Sequence, residues 1–239
     1  MAADRYLIVN ADDLGMSPGV TAGILQAHAH GIVTSASLMV RQGGAAEAAR
    51  LAAGHPRLAV GLHIDLGGWD YTEGEWRAAY LRCDPDDAAA VAAECRAQLD
   101  AFRALVGRDP THLDSHQHVH DSEPAASAAD ALAAGLGVPL RGRIVRYEGG
   151  FYGQSGKGVP YPEGVAAGHL AALIAALPAG WTEIGCHPGT ADGLESSYAA
   201  EREVELATLC DPAVVEAVGV AGVQLRSFAE YAAEPVGGA

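Results

Sequence analysis

Short aliphatic or β-branched runs alternate with alanine-rich amphipathic stretches along almost the whole chain, polar residues able to do chemistry collect just after those runs, and no linker divides the sequence. These observations predict an α/β fold: an irregular (β/α) barrel of about seven parallel strands, favoured over an open doubly wound sheet. One domain is expected over 1–239, with 234–239 as a flexible tail.

The elements follow in order. Tyr6 to Val9 is a compact apolar strand broken by NADDLGM. Ser17 and Pro18 supply an N-cap and a proline suited to the first helical turn, and Gly31 stops the helix after His30. Thr34 to Val40 reads as a strand, Gly44 to Ala53 as a helix closed by Gly54, and Leu58 to Ile64 as the third strand. Asp65 to Arg82 is rich in glycine and aromatic residues and reads as a functional loop. Asp84 and Pro85 open the longest helix, which ends near Gly107, and THLDS is the fourth strand. Glu123 to Leu136 is helical, and Val138 to Val145 forms a fifth strand carrying Arg141 and Arg143. Tyr147 to Pro162 has no period and reads as a second long loop. A helix over Glu163 to Ala176 leads to the strand WTEIGCHPG; helices over Tyr198 to Leu209 and Pro212 to Val218 precede a strand from Gly222 to Leu225, and Ser227 caps a final short helix.

The 239 residues carry 30 acidic and 15 basic side chains, a formal charge of -15. Such a balance repels phosphates and anionic lipid, which excludes a nucleic-acid partner and a polybasic membrane contact. No apolar run approaches the ~18 residues of a transmembrane span, and the start lacks the basic flank of a signal peptide. Cys83, Cys95, Cys186 and Cys210 are scattered without CxxC spacing, as expected of reduced structural thiols in a cytoplasmic protein.

The chemistry collects at strand ends. Asn10, Asp12 and Asp13 follow the first strand, His63 ends the third, Asp114, His116, His118 and His120 follow the fourth, and His187 ends the strand at GCHPG. In a parallel barrel these ends share one face, where active sites are built. Adjacent aspartates on extended chain point in different directions, so Asp12 and Asp13 can take different roles, although an Asp-Asp pair alone is also ordinary loop chemistry. Alternation places Asp114, His116, His118 and His120 on one side of an extended segment, a pattern suited to a metal or acid–base site. His28 and His30 suit a helix C-terminus, and His55, His112 and His169 read as structural.

The strings LIVNADDLGMSPGVTAGI, IVTSASLMV, VGLHIDL, THLDSHQHVH and GCHPG resemble the YdjC-like carbohydrate deacetylases, the group of the chitooligosaccharide deacetylases, over roughly residues 5–190. The resemblance implies a (β/α) barrel related to polysaccharide deacetylases. It also implies one divalent metal ion, Mg2+ or Zn2+ with Co2+ or Ni2+ also suited, and hydrolysis of the acetamide of an N-acetylated sugar or short oligosaccharide. Carried onto this chain, it makes Asp13, His63 and His116 the metal ligands, Asp12 the general base and His187 the general acid. Asn10, Asp114, His118, His120 and Arg143 are candidates for supporting those groups or binding substrate, with Arg143 expected to orient Asp12, to bind a sugar hydroxyl or to form a plain ion pair on the barrel rim. Trp69 and Tyr71 in one long loop, and Phe151 and Tyr152 in the other, can stack on sugar faces or pack the loops down. A homodimer is an expectation carried by the same resemblance. The alternatives are a metal-dependent amidohydrolase or phosphoesterase acting on another small substrate, and a non-catalytic sugar-binding homologue.

Overall fold

Strand β1 (Arg5–Leu14) runs through the centre of the molecule, buried from Leu7 onward. The computed structural model describes residues 4–192, 194 and 196–233; the expected tail at 234–239 lies outside the described residues. After β1 come α1 (Pro18–His30), β2 (Ser35–Leu38), α2 (Ala45–Ala52) and β3 (Ala59–Ile64). A hairpin of β4 (Gly67–Thr72) and β5 (Glu75–Leu81) follows, then α3 (Ala88–Val106), β6 (Leu113–Ser115) and α4 (Ala125–Leu136). Next are β7 (Arg146–Glu148), a small hairpin of β8 (Gln154–Ser155) and β9 (Val159–Pro160), α5 (Ala167–Ala176) and β10 (Gly180–Cys186). The chain finishes with α6 (Ala199–Leu209), α7 (Pro212–Val220), β11 (Gln224–Leu225) and α8 (Phe228–Ala233).

Seven strands pair in parallel in the order β6-β3-β2-β1-β10-β7, with β11 beside the start of β1, and the sheet curls into a half-barrel flanked by helices. The helices start and stop as local chemistry requires. Ser17 Oγ accepts from Val20 N at 3.1 Å with Pro18 inside the first turn, Asp87 caps α3 through Ala89 N and Ala90 N, and Gly107 ends α3 at φ 77°.

Three expectations need correction. Val138–Val145 is not a strand. Leu140 makes a single parallel bridge to Leu113, Gly142 turns the chain at φ 72°, and the strand begins only at Arg146. A residue free to take a left-handed conformation ends the extended run. Asp65–Arg82 is not a loop throughout, because β4 and β5 pair antiparallel around Glu73 (φ 55°) and Gly74 (φ 88°), two left-handed residues that close a tight hairpin. The stretch Tyr147–Pro162 likewise contains the end of β7 and the β8–β9 hairpin.

Alternation along the strands decides what fills the half-barrel. On β1, Leu7, Val9 and Ala11 join the main apolar core under the helices, while Ile8 packs with Ala59, Val145 and Phe228 in a small cluster on the other side. Asn10 and Asp12 share the parity of Ile8, so the interior is apolar at the strand starts and polar at the strand ends. Helix α8 plugs the apolar end. Phe228 is fully buried, stacks on the His112 ring at 4.0 Å, and donates its backbone N–H to Ser35 Oγ at 3.1 Å. Burial pushes the His112 imidazole down to about 4, so the ring under this plug is neutral at physiological pH.

Removing the plug is expected to be costly. Phe228→Ala should lower the unfolding free energy by about 3–5 kcal/mol in urea denaturation, the range for a buried aromatic truncation. A loss below about 1 kcal/mol would show that α8 is a surface appendage.

Candidate active site

The two aspartates at the end of β1 are separated by backbone geometry. Asp12 lies on the interior side of the strand, whereas Asp13 takes φ 68°, a left-handed conformation that costs a non-glycine residue about 1 kcal/mol or more. The β1–β2 register shifts between Ala11 and Leu14 at this point. The carboxylates therefore meet different partners.

Asp13 Oδ1 lies 3.3 Å from His63 Nε2 and 3.1 Å from His116 Nδ1. One oxygen and two imidazole nitrogens, all within 4.8 Å of one another, form a compact donor set. His63 is oriented from behind, its Nδ1 lying 2.8 Å from Asp114 Oδ1, which turns Nε2 toward Asp13. Burial opposes a charge on His63, yet the charge and hydrogen bond of Asp114, with Asp13 and Asp12 nearby, hold the imidazole well above its ordinary pKa. Burial likewise opposes ionisation of Asp13, and the Arg202 charge with hydrogen bonds from both histidines holds that carboxyl well below the usual range. The donors thus attract positive charge, and their type, one carboxylate with two imidazoles, suits a divalent transition metal with positions left open for other ligands. A second set, Asp12, His63 and Asp114, is equally compact, but a guanidinium already occupies its carboxylates.

That guanidinium is Arg141, 1% exposed. It grips Asp12 with two hydrogen bonds of 2.6 and 2.7 Å, reaches Asp114 Oδ2 at 3.0 Å, and donates through Nε to Glu183 at 2.8 Å. Asn10 Nδ2 lies 2.8 Å from Asp12 Oδ1 and 3.0 Å from Asp114 Oδ2. Burial opposes ionisation of Asp12, but the charge and hydrogen bonds of Arg141, with His63 nearby, together hold the group below its ordinary value. Burial wins at Glu183, pushing it up to about 7. The place expected for Arg143 beside Asp12 is Arg141's. Arg143 lies outside, bonded to Asp130 at 3.0 Å and to the His120 carbonyl at 2.9 Å, because Gly142 turns the chain between the two arginines.

The segment His116–Asp121 is not extended. Gln117 and His118 are both left-handed (φ 51° and 55°), which breaks the alternation and separates the histidines. Gln117 is fixed by two hydrogen bonds of 2.9 Å between its amide and the backbone of Trp69, tying the β4–β5 hairpin to the segment that carries His116. His118 packs 5.4 Å from the Tyr147 ring, and burial pushes it down to about 4. His120 is buried and lies 2.5 Å from Ser115 Oγ through Nδ1. Tyr71 meets Trp76 at 5.4 Å and lies beneath Lys157 Nζ at 5.5 Å, so the two hairpins touch.

His187 faces Asp12, with Nε2 3.8 Å from Asp12 Oδ2. Glu205 on α6 stands behind it, accepting from the His187 backbone N–H and lying 3.7 Å from Nδ1, while Tyr198 donates its hydroxyl to the same carboxylate. Burial opposes protonation of His187, and the neighbouring Glu205 carboxylate, with Asp12 and Asp13 nearby, overcomes it to raise the imidazole pKa. Tyr152 stacks on Tyr198 at 4.6 Å, and both rings lie edge-on to His187. Sequence reasoning missed Arg141 as the partner of Asp12, and missed Glu205 and Arg202 altogether. The spacing alone offered a signal, since residues three apart share a helical face, and the structure turns that face inward: Arg202 and Glu205 are 3% and 0% exposed, while Val204 between them is 45% exposed.

The YdjC-like protein family matches residues 6–219. A carbohydrate deacetylase from Geobacillus stearothermophilus is 36% identical, the match covering 95% of this chain and 98% of that one. A chitooligosaccharide deacetylase from Serratia marcescens is 31% identical, covering 94% and 98%. Among solved structures, one from Enterococcus faecalis V583, provisionally described as a cellobiose-phosphate cleavage protein, superposes with a TM-score of 0.79 at 25% identity, covering 96% of this chain and 99% of that one. A family 4 carbohydrate esterase from Streptomyces lividans in complex with acetate has the same fold, with a TM-score of 0.57, 12% identity and coverage of 94% and 93%.

The donor geometry leads to a binding experiment. His63→Ala and His116→Ala should each weaken Zn2+ or Co2+ binding by more than about 100-fold in calorimetric titration, and Asp114→Asn by about 10- to 100-fold through loss of the imidazole's orientation. Wild-type affinity in either histidine variant would exclude this ligand set.

Proposed function

The chain belongs to the YdjC-like family, and from that premise we propose that it is a carbohydrate deacetylase, a hydrolase that removes the acetyl group from an N-acetylated amino sugar or short oligosaccharide. The observation that carries the reading is the division of the β1 aspartates: Asp13 faces two imidazoles, and Asp12 faces an arginine and His187.

In this reading Asp13, His63 and His116 hold one divalent cation. Bound there, the ion supplies Lewis acidity, polarising the amide carbonyl and making a water easier to deprotonate. The imidazoles favour Zn2+, Co2+ or Ni2+ over Mg2+. Asp12 is the base. Its bidentate bond to Arg141 keeps it ionised and aimed, so that it accepts the proton of the attacking water. His187 is the acid, protonating the nitrogen as the C–N bond breaks, since an amine anion cannot leave at neutral pH. Glu205 supports this role by favouring the imidazolium. Water's oxygen ends in acetate and its protons reach the amine, so the reaction consumes one water and no other reagent.

Tyr71 and Tyr152 stand on the segments that flank the site and carry rings suited to sugar faces, and Trp69 lies on the same hairpin as Tyr71. His118, a neutral ring beside Tyr147, is suited to hydrogen-bond a sugar hydroxyl. Among the described residues no helix is long and apolar enough to cross a membrane. A cytoplasmic location is part of the proposal, supported by four free cysteines; a homodimer rests on the family resemblance.

Acetate release from N-acetylglucosamine oligomers tests the assignment. Asp12→Asn should lower kcat by about 10^2- to 10^4-fold, as expected for loss of a general base, with bound metal retained. Loss of metal together with activity would instead make Asp12 a ligand.

The pH profile tests the acid. His187 works protonated, so activity falls as pH rises through its raised pKa. Glu205→Gln removes the raising charge, and the alkaline limb of kcat should move to lower pH. An unmoved alkaline limb would remove His187 from the acid role.

A further inference from the structure

Asp13 has two oxygens, and they are not equivalent. Oδ1 faces His63 Nε2 and His116 Nδ1, whereas Oδ2 accepts from Arg202 Nη2. Arg202 arrives from α6, far away in sequence, and is 3% exposed. Its guanidinium is held on several sides: Nη1 lies 3.4 Å from the His187 carbonyl oxygen, Nη2 lies 3.6 Å from Met16 Sδ, and Cζ lies 5.9 Å from the centre of the Tyr198 ring. The backbone is anchored as well, because Gly189 donates its N–H to the Arg202 carbonyl at 3.2 Å. Gly189 also leaves room for the arginine stem, since a Cβ there would come within 3.3 Å of Arg202 Cδ.

This arrangement goes further than pairing a buried charge. A carboxylate can ligate a cation through one oxygen or through both. With Oδ2 already engaged, only Oδ1 points into the cluster of donors. A fixed positive charge beside the ligand also opposes a second positive charge on its other side. We propose that Arg202 is a positioning residue that holds Asp13 as a one-oxygen ligand and lowers the affinity of the site for its cation, keeping coordination positions open for water and substrate. The inference rests on Asp13, His63 and His116 being the ligand set. If Arg202 only satisfied a buried carboxylate in the fold, metal affinity would not depend on its charge in this direction.

The test is calorimetric titration of the full chain with Co2+ at one fixed, mildly alkaline pH, together with the rise in melting temperature that Co2+ produces. Arg202→Met keeps the side chain's length and removes its charge, and it should bind Co2+ about tenfold or more tightly than wild type, because a unit charge a few ångströms away is removed from a poorly screened site. Its metal-free form loses a partner that the cation then replaces, so the gain in melting temperature on adding Co2+ should exceed that of wild type. Arg202→Gln, which retains a hydrogen-bond donor without charge, should also bind more tightly and serves if the methionine variant does not fold. Arg202→Lys should stay within about threefold of wild type because the charge remains. A folded neutral variant that binds Co2+ no more tightly than wild type, with an unchanged thermal gain, overturns the proposal while leaving the ligand set intact. Absence of stoichiometric Co2+ binding by the wild-type chain would overturn the ligand set itself and this proposal with it.

Discussion

Three carboxylates from three strands or strand ends converge on the buried guanidinium of Arg141, and the rest of the site depends on that convergence. Asp12 comes from β1, Asp114 from β6 and Glu183 from β10, while Arg141 belongs to the segment that crosses between the edge strands β6 and β7. A lone charge buried at this depth would be expelled or neutralised. Here each charge is held by another, so the open side of the half-barrel is tied by ion pairs where backbone pairing stops. The pull on Asp114 reaches further. Asp114 orients His63, and the orientation of His63 turns Nε2 toward Asp13. One arginine thus fixes the proposed base directly and one of the proposed ligands through a single intermediary.

The arrangement needs two neighbouring aspartates to behave differently, and a strand alone would not separate them enough. The left-handed backbone at Asp13 supplies the difference at the cost of local strain. The same device recurs across the site at Gln117 and His118, directly after His116. Each strained segment is held by contacts of its own side chains: Asp13 by two imidazoles and Arg202, Gln117 by the Trp69 backbone. Strained backbone that persists only because its surroundings determine it is concentrated here where two donors must be aimed at one point.

Much of this was legible in the sequence, and the limits have physical reasons. Parallel strands bring their C-terminal ends together whatever the helices do, so Asp12, Asp13, His63, Asp114, His116 and His187 could be read as sharing one face from strand assignment alone, while the choice of Asp13, His63 and His116 as a ligand set came with the family resemblance. The partner of Asp12 could not. Choosing between Arg141 and Arg143 requires knowing that Gly142 adopts a left-handed turn, since alternation along a continuous strand would have placed both arginines on one side. The β4–β5 hairpin was hidden for a related reason: its strands lie outside the main sheet and are largely exposed, so no apolar alternation marks them, and only the Glu73-Gly74 pair hints at the turn. Helix α6 was recognised as a helix, but its inward face carries charge, and a reading that equates burial with apolar character looks at Val204 instead.

That reversed face organises the electrostatics of the site. Arg202 and Glu205 lie three residues apart and reach opposite halves of it, the cation to Asp13 and the anion to His187. Asp12, Asp13 and Asp114 are three ionised carboxylates against the two guanidinium groups of Arg141 and Arg202. Before Glu183 and the histidines are counted, this core retains a negative charge with its attraction directed at the imidazoles of His63 and His116. On the other side, Glu205 favours a proton on His187. In the proposed mechanism, a helix outside the sheet therefore divides one site into a place for the cation beside Asp13 and a place for a transferable proton at His187.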